Sequence, residues 1–143
     1  MSVPTWRRDL SRVEYIYSIF QLNKTIASIV TKKPAKYKAN YGDHLVKEGL
    51  EALKLSQVAN KIYVNDKTSY ELRRSTLLRL QGVIDNISTS AYLFLELVRN
   101  NDSIPFDKIW DEENKIGDAC YSINKLVSGV LRSDRERFKK RNK

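Results

Sequence analysis

Few side chains in this chain could carry covalent or proton chemistry. His44 is the single histidine and Cys120 the single cysteine among 143 residues. Histidine is the usual general base near neutral pH, and a cysteine paired with it would be a candidate nucleophile. Cys120, however, falls on an apolar helical stripe, where a free thiol ordinarily serves as a small buried hydrophobe. One histidine and one cysteine cannot supply the four ligands of a usual zinc site. The acidic run "DEEN" at 111–114 has oxygen ligands of the magnesium type. Its place near the start of a helix explains it more simply, because carboxylates there meet the positive end of the helix dipole. The five glycines are scattered singly, so no glycine-rich phosphate loop is present. An enzyme is therefore not expected, and neither is a metal or other cofactor.

Basic residues offer a different chemistry. The formal net charge is +9 and the isoelectric point about 9.7, a balance that attracts nucleic acid, acidic proteins or anionic membrane. The excess sits in two runs. Lys32, Lys33, Lys36 and Lys38 surround Pro34 and Tyr37 with no acid among them. From Arg132 to Lys143, "RSDRERFKKRNK" holds seven Lys or Arg against two acids. Together the two runs account for the whole net charge. Cations that follow a backbone beside a ring that can stack on a base are the pairing used on single strands. Tyr37 among lysines fits that pairing, and Phe138 within "ERFKKR" repeats it. Equally, Tyr37 could pack on the body of the protein while solvated lysines surround it. The predicted nucleic-acid contacts are Lys32, Lys33, Lys36, Tyr37, Lys38, Arg73, Arg74, Arg132, Arg135 and Arg137.

The elements that must position these residues are helical. Val13, Ile16, Phe20, Asn23, Ala27 and Val30 recur at steps of three and four and predict a helix over 10–31, its face widened by Ile19, Leu22, Ile26 and Ile29. Pro34 ends it. A second helix is expected over 43–64, capped by Asp43, with Val46, Leu50, Leu53, Gln57, Asn60 and Val64 as its stripe. A third, over 69–100, carries Leu77, Leu80, Ile84, Ile87, Ala91, Phe94 and Val98. A fourth, over 107–135, carries Ile109, Ile116, Cys120, Ile123, Val127 and Val130. Gly49, Gly82, Gly117 and Gly129 fall inside these helices, each costing roughly 1 kcal/mol relative to alanine unless close helix approach compensates.

Four amphipathic helices with short loops predict an all-α, up-down-up-down antiparallel bundle. The chain reads as one domain, 1–143, with a basic flexible tail from about 136. That topology puts the 32–38 loop, the 100–106 loop and Arg99 at one end, and Arg73, Arg74 and the tail toward the other. A lone cysteine excludes an intrachain disulfide and fits a reducing compartment. No apolar stretch has the ~18 residues a membrane span needs, and the N-terminus lacks a signal-peptide core. A cytoplasmic protein with no membrane partner is expected.

Five segments occur in order: "SRVE" at 11–14, "PAKYK" at 34–38, "VAN" at 58–60, "YELRRS" at 70–75 and "SDRERFKK" at 133–140. This ordered set resembles the accessory variability determinant proteins of diversity-generating retroelements. Those are related to the proteins encoded by intervening sequences of bacterial large-subunit ribosomal RNA genes. The resemblance implies a homopentameric barrel of four-helix bundles with a basic surface and no catalytic activity. It also implies binding to a reverse transcriptase and its template RNA, with cDNA as a further ligand, in support of mutagenic cDNA synthesis. The basic contacts it implies are Lys36 and Lys38 around Tyr37, Arg73 with Arg74, and Arg135 with Arg137. The chain departs from the family in helix four, where Ile116 and Val130 stand at positions often held by tryptophan. The alternative is a basic helical bundle of the intervening-sequence type whose partner is an acidic protein.

Overall fold

The structure, a computed structural model, describes residues 13–141. Four helices build it: α1 (Glu14–Thr31), α2 (Asp43–Lys61), α3 (Lys67–Asp102) and α4 (Phe106–Arg141). At about 1.5 Å per residue, the 36 residues of α3 and of α4 make rods of roughly 54 Å. α1 packs beside α2 and α4, and α3 packs beside α2 and α4. The result is the expected antiparallel four-helix bundle.

The stripes of α3 and α4 are where their periodicity puts them. Leu77, Leu80, Ile84, Ile87, Ala91, Phe94 and Val98 are all buried, as are Ile109, Ile116, Cys120, Ile123 and Val127. Val130 is half-buried, and the next inward position is taken by Asp134.

The two shorter helices correct the reading. In α2 the inward seam is Leu45, Gly49, Ala52, Leu55, Ser56 and Ala59; of the expected Val46, Leu50, Leu53, Gln57, Asn60 and Val64, only Val46 and Leu53 pack partly buried against the core, and Val64 lies beyond the helix end. Leu50 is 55% exposed. Small residues win the inward face because they let backbones approach. Asn23 of α1 donates from Nδ2 to the Gly49 carbonyl at 2.9 Å and to the Ile19 carbonyl at 3.0 Å. A Cβ at position 49 would lie 2.6 Å from Asn23 Oδ1, so only glycine leaves room for this bridge. In α1, Ala27 is exposed, whereas Ile19, Leu22, Ile26 and Ile29 fill the core. The part of the expected first helix before residue 13 lies outside the described residues.

The helix ends differ in detail too. Lys32 and Lys33 close α1 by donating backbone N–H groups to Ile29 and Val30. Pro34 then begins a single helical turn, Ala35–Tyr37, and a π-helical stretch, Lys38–Gly42, runs straight into α2. Asp43 is therefore not an N-cap: Gly42 before it is already helical, and no side chain caps α2. α3 starts with a capping box, in which Asp66 accepts from the Ser69 amide at 2.8 Å and Ser69 Oγ accepts from the Asp66 amide at 3.1 Å. It ends at Ser103, a non-glycine residue in the left-handed region at φ 52°. α4 continues through Arg141, so the described part of the segment expected as a flexible tail is helix. Phe138 stacks on Tyr70 with ring centroids 4.4 Å apart, and Arg141 Nη1 donates to the Val64 carbonyl. Among the described residues no helix is long and apolar enough to cross a membrane.

Candidate nucleic-acid interface

The first basic run lies where the α1–α2 connection meets the α3–α4 turn. Lys33 is only 11% exposed along its side chain, and its Nζ donates to both carboxylate oxygens of Glu112 at 2.6 and 2.7 Å. Tyr37 is 5% exposed, and its hydroxyl donates to Asp102 Oδ1 at 3.2 Å. Lys36 Nζ sits 3.0 Å from the same oxygen. The hydrogen bond and charge of Asp102 raise the Lys36 ammonium above its usual pKa. Lys33 and Tyr37 thus fasten the loop to α3 and α4, and a buried Tyr37 ring is closed to a stacking base. Lys32 and Lys38 are exposed, and neither has an ion-pair partner among the described residues. At the same pole, Arg99 Nε donates to Glu96 at 2.7 Å, and its guanidinium lies 5.8 Å from the centre of the Phe106 ring.

The second basic region lies at the other end, as the topology requires. Arg73 Nε donates to Asp134 Oδ2 at 2.5 Å, and Arg73 Nη1 donates to the Ala59 carbonyl at 2.8 Å. Both side chains are largely buried, at 15% and 9% exposure. Arg73 therefore closes the C-terminal end of α2 and ties it to α4; it is committed to the fold. Arg74, Arg132 and Arg135 are exposed and line one groove between α3 and α4, of about 240 Å³, with Tyr70 and Leu78. Arg137 faces a different pocket, toward the stretch at 62–64. About 28 residues of α3 separate Arg74 from Asp102, so the two basic poles lie on the order of 40 Å apart.

The structure adds a feature that periodicity did not reveal. Residues 62–65, between α2 and α3, are not helical, and Ile62 has extended backbone. They hold Tyr63 79% exposed beside Arg137, Lys140 and Arg141 in a pocket of about 450 Å³. The apolar triplet "IYV" ahead of "ND" was the available signal. It reads as the last turn of a helix until the break at Lys61 is known.

His44 and Cys120 do not come together. They sit on α2 and α4, which do not pack side by side. His44 pairs with Glu48, one turn on, and Glu48 also accepts from Ser90 at 3.0 Å. Burial, with a smaller push from Asp85, raises the Cys120 thiol to about 12, which keeps it in its unreactive protonated form. In the acidic run, Glu112 is held by Lys33. Burial, then the charge of Glu96, pushes the Glu113 carboxyl above the usual range against the pull of Arg99. Among the described residues no group of three or more His, Cys, Asp and Glu side chains could hold a metal ion.

Fold and charge together define a class: a basic antiparallel four-helix bundle with exposed cations at both ends. No protein-family model, curated protein or solved structure matches the chain.

Proposed function

We propose that this chain is a non-enzymatic RNA-binding bundle serving as the accessory subunit of a diversity-generating retroelement. In that role it holds template RNA and reverse transcriptase together for mutagenic cDNA synthesis, in the cytoplasm, as a ring of identical copies. One observation carries the RNA-binding part. Arg74, Arg132 and Arg135 share a groove and remain exposed, while the neighbouring Arg73 is neutralised by Asp134. Guanidinium groups in such a groove can meet phosphates bidentately through their planar fork, which loses less freedom per hydrogen bond than an ammonium stem. The retroelement setting rests on the five-segment resemblance. The ring gains support from Leu50 and Val58, large apolar residues left exposed on α2, which are available for contact between copies. Repetition of weak basic grooves around a ring would raise avidity through effective concentration.

Titration of the protein with a single-stranded RNA across a salt series tests the reading. Each neutralised phosphate contributes roughly −0.7 to the log–log salt slope, so three groove arginines predict a slope of about −2 per engaged copy. No retention at low salt, or affinity indifferent to salt, refutes RNA binding. Light scattering and co-purification with the reverse transcriptase test the ring and the partner.

A further inference from the structure

We infer that the pocket between the non-helical stretch 62–64 and the last turns of α4 takes one unpaired nucleotide of the bound strand, its base on Tyr63 and its phosphate among Arg137, Lys140 and Arg141. The inference rests on the RNA-binding reading above and goes beyond it by naming a stacking site.

Two sets of residues of different chemistry line it, with Asn60 and Phe138 among them. One is apolar and carries the Tyr63 ring, 79% exposed, flanked by Ile62 and Val64. The other carries Arg137, Lys140 and Arg141 on α4. The paired Arg73 and Asp134 also line it. Asp134 is the single carboxylate in the lining, and Arg73 already occupies it. The other three cations therefore meet no competing acid in the pocket.

The pocket measures about 450 Å³, inside the roughly 300–1,000 Å³ span of small-ligand sites. A bare anion would leave the Tyr63 ring unused, and a neutral ring would leave three cations unmatched. A nucleotide satisfies both sets. Its base must be unpaired, since a duplex hides the faces that stack. The apolar set is also anchored, because Arg141 Nη1 donates to the Val64 carbonyl and α3 is capped just after the stretch by Asp66. The ring is thus presented on a fixed backbone.

The test uses the full chain and a single-stranded oligoribonucleotide carrying 4-thiouridine. Irradiation and mass spectrometry should place a crosslink within 62–64. Replacing Tyr63→Ala should weaken binding about 5- to 150-fold, the range for losing one base–aromatic stack, while the salt slope stays unchanged. Tyr63→Phe should keep native affinity. Arg137→Gln with Lys140→Gln should weaken binding and make the slope shallower by up to about 0.7, the share of one phosphate. Circular dichroism is expected to show native helicity in each variant, because these side chains are exposed. Native affinity in Tyr63→Ala, with RNA still bound, overturns the pocket and leaves the RNA-binding reading standing. Displacement of the RNA by poly-glutamate of equal charge as readily as by unlabelled RNA overturns the nucleotide as occupant. Failure of the unaltered chain to bind RNA at all overturns both.

Discussion

Removal of either partner of the Arg73–Asp134 pair should cost more stability than any surface charge in the molecule. The Arg73 guanidinium reaches Asp134 Oδ2 at 2.5 Å and the Ala59 carbonyl at 2.8 Å. At 15% and 9% side-chain exposure, water can do little to replace a lost partner. Breaking a buried ion pair by removing one side costs about 3–5 kcal/mol, because the other charge stays buried without compensation. Unfolding entropy near 2.1 cal/mol/K per residue gives roughly 0.3 kcal/mol/K for this chain. Asp134→Leu, or Arg73→Met, should therefore lower Tm by about 10–17 °C. The double replacement should recover most of that loss, because two well-packed apolar side chains remove both desolvation costs. Urea denaturation followed by circular dichroism, run as a double-mutant cycle, measures the coupling. Single losses below about 1 kcal/mol, or losses that simply add in the double variant, refute the claim that Arg73 is a fold residue.

The remaining predictions follow the same geometry. Gly82→Ala, Gly117→Ala and Gly129→Ala meet nothing within 4 Å, so each should stabilise by up to about 1 kcal/mol. Gly49→Ala should destabilise, because its Cβ would sit 2.6 Å from Asn23 Oδ1; thermal melts compare all four. Lys32→Gln with Lys38→Gln should leave stability within about 0.5 kcal/mol. Lys33→Gln breaks the two-oxygen contact with Glu112 and should cost about 1–3 kcal/mol, as urea midpoints will report. Burial holds the Glu113 carboxyl above its usual pKa in the folded state, so folded protein keeps this proton after unfolded protein has released it. Stability from this group is therefore lost as pH rises from the ordinary carboxylate range toward the raised value. Glu113→Gln should gain on the parent protein across that window and hold the gain to neutral pH, as denaturation at stepped pH will test. Ile84→Asp puts a charge at a fully buried position and should abolish the helical signal.

The long helices were legible because one apolar stripe keeps helical spacing along each, even though Tyr92, Trp110 and Tyr121 stay exposed beside it. Leu77 through Val98 repeats at helical spacing with no competing stripe, so pattern and burial coincide. α2 was misread because two stripes share the helix. Leu50 and Leu53 outrank Gly49 and Ala52 in hydrophobicity, yet the small pair is buried and Gly49 lets Asn23 of α1 reach its carbonyl. Hydrophobic ranking has no term for how closely two backbones can approach. Charge was legible as a total and as a placement at opposite ends, but not as a division of labour. No periodicity says that Lys33 meets Glu112 seventy-nine positions away, or that Arg73 meets Asp134 while Arg74 does not. The same limit hid Tyr37, a ring embedded in cations that the fold turns inward. It also hid Tyr63, which the end of α2 at Lys61 turns outward.

The sheltered contacts of Lys33 and Arg73 have a practical consequence for handling the molecule. Ion pairs hidden from water feel added electrolyte far less than exposed cations do. If the proposed RNA binding holds, a concentrated salt wash would release the RNA while both internal fastenings stay closed, leaving an intact bundle that binds again on dilution.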